Sequence, residues 1–271
     1  MQRALESLPP RDDDKELMNR LSVNLIRGLS FLAILVIWWI ISLFFPPSFI
    51  PGPVIVLKKV AGLLVSGEFF FHMYKTLLRV ILGFLWAFVV GAVMGMVMGF
   101  NRLAEHFFEV EVLVGLTIPG LAWAIIALMW FGIRDFSAIF SIFIIILPMI
   151  AVNMWEGTKA LDKELIEMGH AFKAGRKMIV RHVVIPQLVP YLFAATRFGF
   201  ALAWKVVVVA EMLGLSNGVG YMINQSFGLF DMEGVLAWTL SFTLVMVLLE
   251  FGVVKLIEKR ATKWRPAVTL M

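Results

Sequence analysis

Six long runs of apolar residues constrain this chain more than any other feature of its sequence. A helix needs about 20 mostly apolar residues to cross the hydrocarbon core of a bilayer. The runs cover residues Gly28 to Phe45, Val80 to Phe100, Val112 to Ile133, Phe136 to Met154, Leu188 to Leu213 and Val235 to Val254. Hydrophobic residues make up 61% of the 271 positions and charged residues 16%, which does not fit an ordinary soluble domain. The sequence therefore predicts a polytopic membrane protein with about six transmembrane helices.

The runs show no alternation of polar and apolar residues, so they are not the strands of an outer-membrane barrel. We predict an all-α fold, because helices satisfy their own backbone hydrogen bonds in lipid. The chain contains no cysteine, which removes disulfide and thiolate metal chemistry without naming a compartment. The charged stretch Arg11 to Glu16 precedes the first run and no small-residue cleavage site follows it. We therefore expect the first span to be retained rather than cleaved as a signal.

The positions of Lys and Arg between the runs predict the orientation of the chain. The two termini, Arg102 and the loop from Glu156 to Gln187 lie on one side and carry 17 of these cations, whereas the opposite side carries 5. Cytoplasmic loops are the ones enriched in Lys and Arg. We predict that both termini and this loop are cytoplasmic. The pI near 9.6 reflects the same asymmetry and does not indicate nucleic-acid binding.

Two external connections are predicted to be structured. The prolines between Pro46 and Pro53 end the first helix, and Val54 to Phe71 is apolar but interrupted by charges. This pattern favours an amphipathic helix at the external interface over a further span. The glycine-rich connection from Glu211 to Gly228 is too apolar for a solvated loop, and we predict a short helix against the outer face.

Small residues and prolines mark the packing of the spans. Gly83, Gly91, Gly95 and Gly99 lie near one face of the second span, which predicts close helix packing and leaves a subunit contact open. Pro119 and Pro148 interrupt the third and fourth spans. Each predicts a kink, which either shapes packing or lines a transport path.

Two cations lie inside the fifth span, where charges are costly. Arg197 lies close enough to the cytoplasmic end to reach the headgroups. Lys205 lies deeper, and two interpretations stay open. It forms an ion pair, with Glu211 or Glu250 as partner, or it provides an electropositive point on the route of an anionic solute.

Several motifs of other functional classes are absent from the sequence. There is no G-x-x-x-x-G-K-[ST] loop for phosphate and no G-x-S-x-G or H-E-x-x-H motif, and the four histidines lack metal-ligand spacing. An intramembrane enzyme therefore has no visible nucleophile, base or metal set. A stand-alone carrier or channel remains an alternative, although six spans without two related halves are few for a secondary carrier.

The cationic loop contains the residues that carry a family resemblance. Glu167 and Pro186 keep the outer spacing of the E-A-A…G…I-x-L-P loop of bacterial ABC-importer permeases, with Val183 and Ile185 at apolar positions. Met168 and Gly169 replace the two alanines. Lys173 stands where the glycine is expected, and Gly175 follows two residues later.

Further segments resemble the permeases for nitrate, sulfonate, taurine and bicarbonate. Their order and spacing agree from Leu17 to Trp264. The matching segments are Thr76 to Phe84, Pro119 to Gly132, Arg181 to Pro186, Ala203-Trp204, Ala210 to Met212, Gly218 to Tyr221 and Lys263-Trp264.

The resemblance implies the transmembrane domain of a type I ABC importer for a small anionic or zwitterionic solute. It implies a multi-pass inner membrane protein that pairs with a second copy of itself, two cytoplasmic ATPase subunits and a periplasmic or lipid-anchored solute-binding protein. The chain itself would bind no cofactor, and ATP and Mg would be used by the partner ATPase.

The resemblance also implies roles for particular residues and segments. The residues expected to couple to the ATPase are Leu165, Ile166, Glu167, Met168, Gly169, Phe172, Lys173 and Gly175, and those assigned to a candidate solute path are Lys205, Pro119, Trp123 and Glu211. The expected division is a cytoplasmic tail (1–24), a first span with the external segment (25–71), a permease core (72–257) containing the coupling loop (156–187), and a C-terminal tail (258–271).

Overall fold

A computed structural model describes residues 12–250 and 252, with side chains from residue 25. The predicted N-terminal tail (1–24) is described from Asp12, where the first helix already begins. The C-terminal tail (258–271), the Lys263-Trp264 ending and the end of the sixth run at Val254 lie outside the described residues. Every regular element within the described range is a helix. In chain order these are α1 (Asp12–Phe44), α2 (Pro53–Ser66), α3 (Glu68–Phe100), α4 (Arg102–Thr117), α5 (Gly120–Phe131), α6 (Asp135–Lys159), α7 (Lys163–Ala171), α8 (Arg176–Ile179), a π-helical turn (Val180–Val184), α9 (Ile185–Gly214), α10 (Val219–Gly228) and α11 (Met232–Leu249).

Five of the described helices are long and apolar enough to cross a membrane, and six spans result if α4 and α5 are counted as one. These two helices are bent by 100° relative to each other. The break lies at Ile118 and Pro119, where the backbone is extended and the helical hydrogen bonds cannot continue. The third predicted span is thus a sharply broken helix. Pro148, in contrast, stays inside α6 and is buried.

The second predicted span begins earlier than its apolar run indicated. Gly67 adopts a left-handed backbone (φ +79°) that separates α2 from α3, so α3 already includes residues 68–79. The predicted external helix is correspondingly shorter, and its buried residues Val56 and Leu63 pack with Trp238 of α11. Lys59 of α2 also bonds Asp231, with 2.9 Å between Nζ and Oδ2. Burial opposes ionisation of Asp231, but hydrogen bonds from Lys59 and the Gly234 amide together lower its pKa.

The core lies where α3, α6 and α9 meet. Its buried residues include Val80, Ile146 and Val207. The glycines of α3 permit close contact with α6, because a Cβ on Gly91 would lie 2.8 Å from the Leu147 carbonyl oxygen, and one on Gly95 would overlap the Ala151 carbonyl. The predicted close packing is confirmed, and the partner of this stripe is α6 of the same chain.

Candidate functional site

Helix α7 forms the centre of the predicted coupling segment. Asp162 caps its N-terminus by accepting hydrogen bonds from the backbone N–H groups of Glu164 (2.9 Å) and Leu165 (3.2 Å). The N–H group of Asp162 in turn donates to Oε1 of Gln187 at 2.8 Å. Because Gln187 belongs to the first turn of α9, this bond ties the start of α7 to the start of a membrane span.

One face of α7 and its C-cap exposes large apolar side chains. Leu165 is 40% exposed, Met168 50% and Phe172 80%, and their three- and four-residue spacing places them on one side of the helix. Glu167 is also exposed. The apolar face predicted for docking also included Ile166, but Ile166 is partly buried against the core of this chain. The exposed face is therefore narrower than predicted, and Ile166 anchors the helix instead.

Glycine 169 lies on the side of α7 that faces the protein. A Cβ added there would meet the Ile179 side chain at 3.1 Å. A small residue at this position thus lets α7 lie close to the helical turn α8. Gly175 has an extended backbone (φ −65°, ψ 151°) and precedes α8 as its N-cap.

The backbone at Lys173 explains why the family pattern has a glycine at this position. Lys173 has φ +53°, the left-handed conformation that glycine adopts without steric cost. Its N–H donates to the carbonyl of His170 (2.9 Å), and the Ala174 N–H donates to that of Gly169 (3.0 Å). These two bonds form a Schellman motif with Lys173 at the position that usually carries glycine. Lys173 therefore replaces the expected glycine, but the backbone keeps the left-handed turn that glycine favours.

A second cluster of functional interest lies at the opposite ends of the spans, where a buried ion pair joins α3 to α9. Nη1 of Arg79 lies 2.6 Å from Oε1 of Glu211. The same guanidinium bonds Asp135 at the start of α6 and the side chain and carbonyl of Asn217. The Thr76 hydroxyl donates its single proton to the Glu211 carboxylate, both of whose oxygens lie 2.9 Å from Thr76 Oγ1. The network thus connects three spans with the segment that leads into α10.

The α9–α10 connection closes around the Glu211 carboxylate. The Gly220 N–H donates to Glu211 Oε2 at 2.8 Å, and the Val219 N–H donates to Thr76 Oγ1 at 2.8 Å. Gly218 has φ +112°, and a Cβ there would overlap the carboxylate. The predicted short outer helix is present as α10, and this network fixes its start.

Glu211 therefore has a different environment from the one expected. It is completely buried and pairs with Arg79, which excludes it as the partner of Lys205 and encloses it away from any open groove. Glu250 lies 3.8 Å from Arg197. Among the described residues, neither proposed carboxylate pairs with Lys205.

Sequence reasoning counted Arg79 as an external loop cation and so missed this network. A signal was present, because Arg79 directly adjoins the apolar run that begins at Val80, and a charge at membrane depth needs a carboxylate partner. Asp135 and Glu211 were available at the ends of two other spans. Their proximity depends on how three distant helices meet, which no local pattern encodes.

Lys205 instead lies exposed in a groove of about 650 Å³ between α9 and α11. Most of its lining is apolar, and the other polar side chains that line it are Thr239, Thr243 and Glu250. Lys205 is nine residues before the end of α9 and Thr239 seven residues after the start of α11, or about 14 and 10 Å from the helix ends that adjoin α10 at 1.5 Å per residue. These polar groups thus lie at similar depth.

Trp123 and Pro119 lie elsewhere. Trp123 lines a separate apolar cavity of about 400 Å³ behind the break between α4 and α5, together with Ile118 and Pro148. Its indole N–H is buried without a partner among the described residues. Pro119 is exposed at the break itself. The structure does not bring these two residues and Lys205 into one cavity.

Comparisons with known proteins identify relatives for most of the chain. A family model described as "Binding-protein-dependent transport system inner membrane component" matches residues 87–263. The nitrate import permease protein NrtB of Synechococcus elongatus is 31% identical over 203 residues, covering 71% of this chain and 73% of NrtB. The taurine transport system permease protein TauC of Escherichia coli is 26% identical over 256 residues, covering 92% of this chain and 93% of TauC.

The fold also matches a solved structure. A chain of the MetNI methionine ABC transporter superposes with a TM-score of 0.63 at 19% identity, covering 76% of this chain and 99% of that one. At this identity the match establishes the fold alone, and it confirms the predicted fold of a type I ABC importer permease. None of these three similarities is to a stand-alone carrier or channel.

Proposed function

Because the chain belongs to the family of inner membrane components of binding-protein-dependent transport systems, we propose that it is the permease of an ATP-driven importer for a small anion or zwitterion. It is a multi-pass inner membrane protein. The relatives NrtB and TauC are named for nitrate and taurine, which supports a solute of this chemical class.

The exposed face of Leu165, Met168 and Phe172 is the observation that carries the coupling role. A solvated helix gains nothing from three large apolar side chains on one side, whereas a helix lodged in a partner's groove buries them. The Asp162–Gln187 bond and Ile166 fix α7 to the spans, so movement of the partner reaches α9. The proposed partner is an ATPase subunit on the cytoplasmic side, which would bind ATP and Mg.

In the proposed orientation, α7 and both termini lie in the cytoplasm and the Arg79–Glu211 network lies at the external end. A solute-binding protein would deliver its ligand at that end. The charge asymmetry of the loops supports this orientation.

The groove around Lys205 supports a second copy of the chain as a further partner. An ammonium group exposed on a membrane-spanning helix is costly against lipid, so such groups face protein or water. Two copies that pack with these grooves facing each other would enclose Lys205, Thr239 and Thr243 in a shared path. The positive charge of Lys205 and the hydroxyl groups of Thr239 and Thr243 suit an anionic group of the solute.

Co-purification tests the coupling role. The tagged chain is co-expressed with the ATPase and binding protein encoded beside it, and association is measured with Met168→Asp, Phe172→Asp or His170→Asp. His170 is exposed on the opposite side of α7 and is the matched control. We expect the first two changes to reduce ATPase association at least tenfold, because they place a charge in an apolar interface, and the third to have little effect.

Uptake measurements test the transport role. Vesicles that contain the complete assembly should accumulate solute only with ATP and binding protein. Solute accumulation by the chain alone would contradict the proposal. So would undiminished ATPase association of both Met168→Asp and Phe172→Asp.

A further inference from the structure

A cavity of about 610 Å³ lies where the α3–α4 turn, the end of α6 and the start of α7 meet. Its polar lining is dominated by cations. The lining side chains that carry charge or a titratable ring are Arg102, Glu105, His106, Lys159 and Lys163. Neither the exposed apolar face of α7 nor the Lys205 groove includes this cavity.

The charges of the cavity do not cancel internally. Lys159 bonds the Glu105 carboxylate, and its Nζ also lies 4.3 Å from the centre of the Trp155 ring. Among the described residues, no carboxylate lies within 4.0 Å of the charged groups of Arg102 or Lys163. The three cations Arg102, Lys159 and Lys163 therefore outnumber the one carboxylate of the cavity, Glu105, and this excess of positive charge favours an anionic ligand.

An apolar surface begins directly beside these cations. Leu103 and Phe107 are one helical turn apart on α4 and both are largely exposed, and Val110 and Val114 continue the same stripe. Arg102 and His106 form the neighbouring stripe that faces the cavity. A phosphate group with attached acyl chains matches this combination, because the cations contact its headgroup while the stripe contacts its chains.

We infer that this cavity binds the phosphate headgroup of an anionic phospholipid of the inner leaflet. Basic pockets between membrane helices on the cytoplasmic side are known to take such headgroups. Arg102 is the first residue of α4 and Lys163 the first residue of α7. A bound headgroup therefore bridges the start of α4 to the start of the coupling helix and restrains their relative position.

Binding of lipid to the purified chain tests this inference without the partner subunits. Native mass spectrometry would measure the occupancy of phosphatidylglycerol and of phosphatidylcholine on the chain, with inorganic phosphate as a competitor. The variant Arg102→Gln/Lys163→Gln removes the two cavity cations that form no ion pair with a described carboxylate. Arg102→Lys/Lys163→Arg keeps the charge, and Lys58→Gln removes an exposed cation from α2 as the matched control.

We expect preferential retention of phosphatidylglycerol, at least a fivefold loss of that preference in the double glutamine variant, and retention of it in the other two variants. Millimolar phosphate that displaces the lipid, or protects Lys163 from amine labelling without lipid, would assign the cavity to a free oxyanion and overturn the lipid assignment. Equal phosphatidylglycerol preference in the double glutamine variant and in Lys58→Gln would overturn the site itself.

Discussion

Arg79 and Glu211 form an ion pair, 2.6 Å between Nη1 and Oε1, in which the side chains are only 1% and 0% exposed. The two residues are 132 positions apart in the chain. A buried charge is tolerated only when it is paired and hydrogen-bonded. Here Thr76 and the Gly220 amide donate hydrogen bonds to the Glu211 carboxylate, and Asn217 accepts one from Arg79. The pair fixes how α3, α6 and α9 meet at one end of the bundle.

Removing one member of this pair is expected to cost about 3–5 kcal/mol of stability, because an uncompensated buried charge remains. Arg79→Met and Glu211→Met should each lower the thermal midpoint of the detergent-solubilised protein substantially. The double variant should lose less than the sum of the two. Glu68→Gln, at the exposed start of the same helix, is the control and should stay within about 0.5 kcal/mol of the wild type. Additive losses in the double variant would show that the two groups do not interact.

Gly95→Ala is expected to destabilise the protein by about 1–3 kcal/mol, the usual range for overpacking a core. The new Cβ would overlap the Ala151 carbonyl and force α3 and α6 apart. Gly62→Ala is the matched control, because nothing lies within 4 Å of the added methyl group on α2. It should be neutral or stabilise by about 0.5–1 kcal/mol through helix propensity. The measurement is the thermal midpoint of unfolding of both variants. Equal midpoints would contradict the close packing of Gly95 against α6.

Lys173→Gly is expected to stabilise the turn after α7 by about 1 kcal/mol, since it removes the steric cost of a left-handed backbone at a residue with a Cβ. Hydrogen exchange at the Ala174 amide, which bonds the Gly169 carbonyl, should slow. Lys177→Gly removes the same charge within helix α8. It should have the opposite effect and destabilise this helix by about 1 kcal/mol, because glycine is a poor helix former. Faster exchange at Ala174 in Lys173→Gly would argue against the Schellman geometry.

Lys205→Ala is expected to reduce solute uptake at least tenfold in the complete assembly, because the proposed path loses its positive charge. Lys205→Arg should retain a substantial part of the uptake. Lys58→Ala, which removes an exposed cation from α2, serves as the control and should transport normally. The measurement is ATP-dependent uptake in vesicles after assembly has been verified by co-purification. Unchanged uptake in Lys205→Ala with normal assembly would remove this lysine from the path.

Local patterns were sufficient for the helical class, the approximate positions of the spans and the glycine stripe of α3. Each of these depends on residues within a few turns of one another, so composition and spacing report them directly. Lys173 is an intermediate case. The family pattern marked its position as unusual, but only the backbone dihedral showed that the turn is kept.

The sequence by itself determined that this protein is a helical bundle in a membrane, because burying apolar side chains in lipid needs only their presence at sufficient length. The tertiary structure decided the partners of the charges. It paired Glu211 with Arg79 rather than with Lys205, turned Ile166 inward, and separated Trp123 from the Lys205 groove. An ion pair depends on distances of a few ångströms between helices that are far apart in the chain, and those distances arise only when the helices pack.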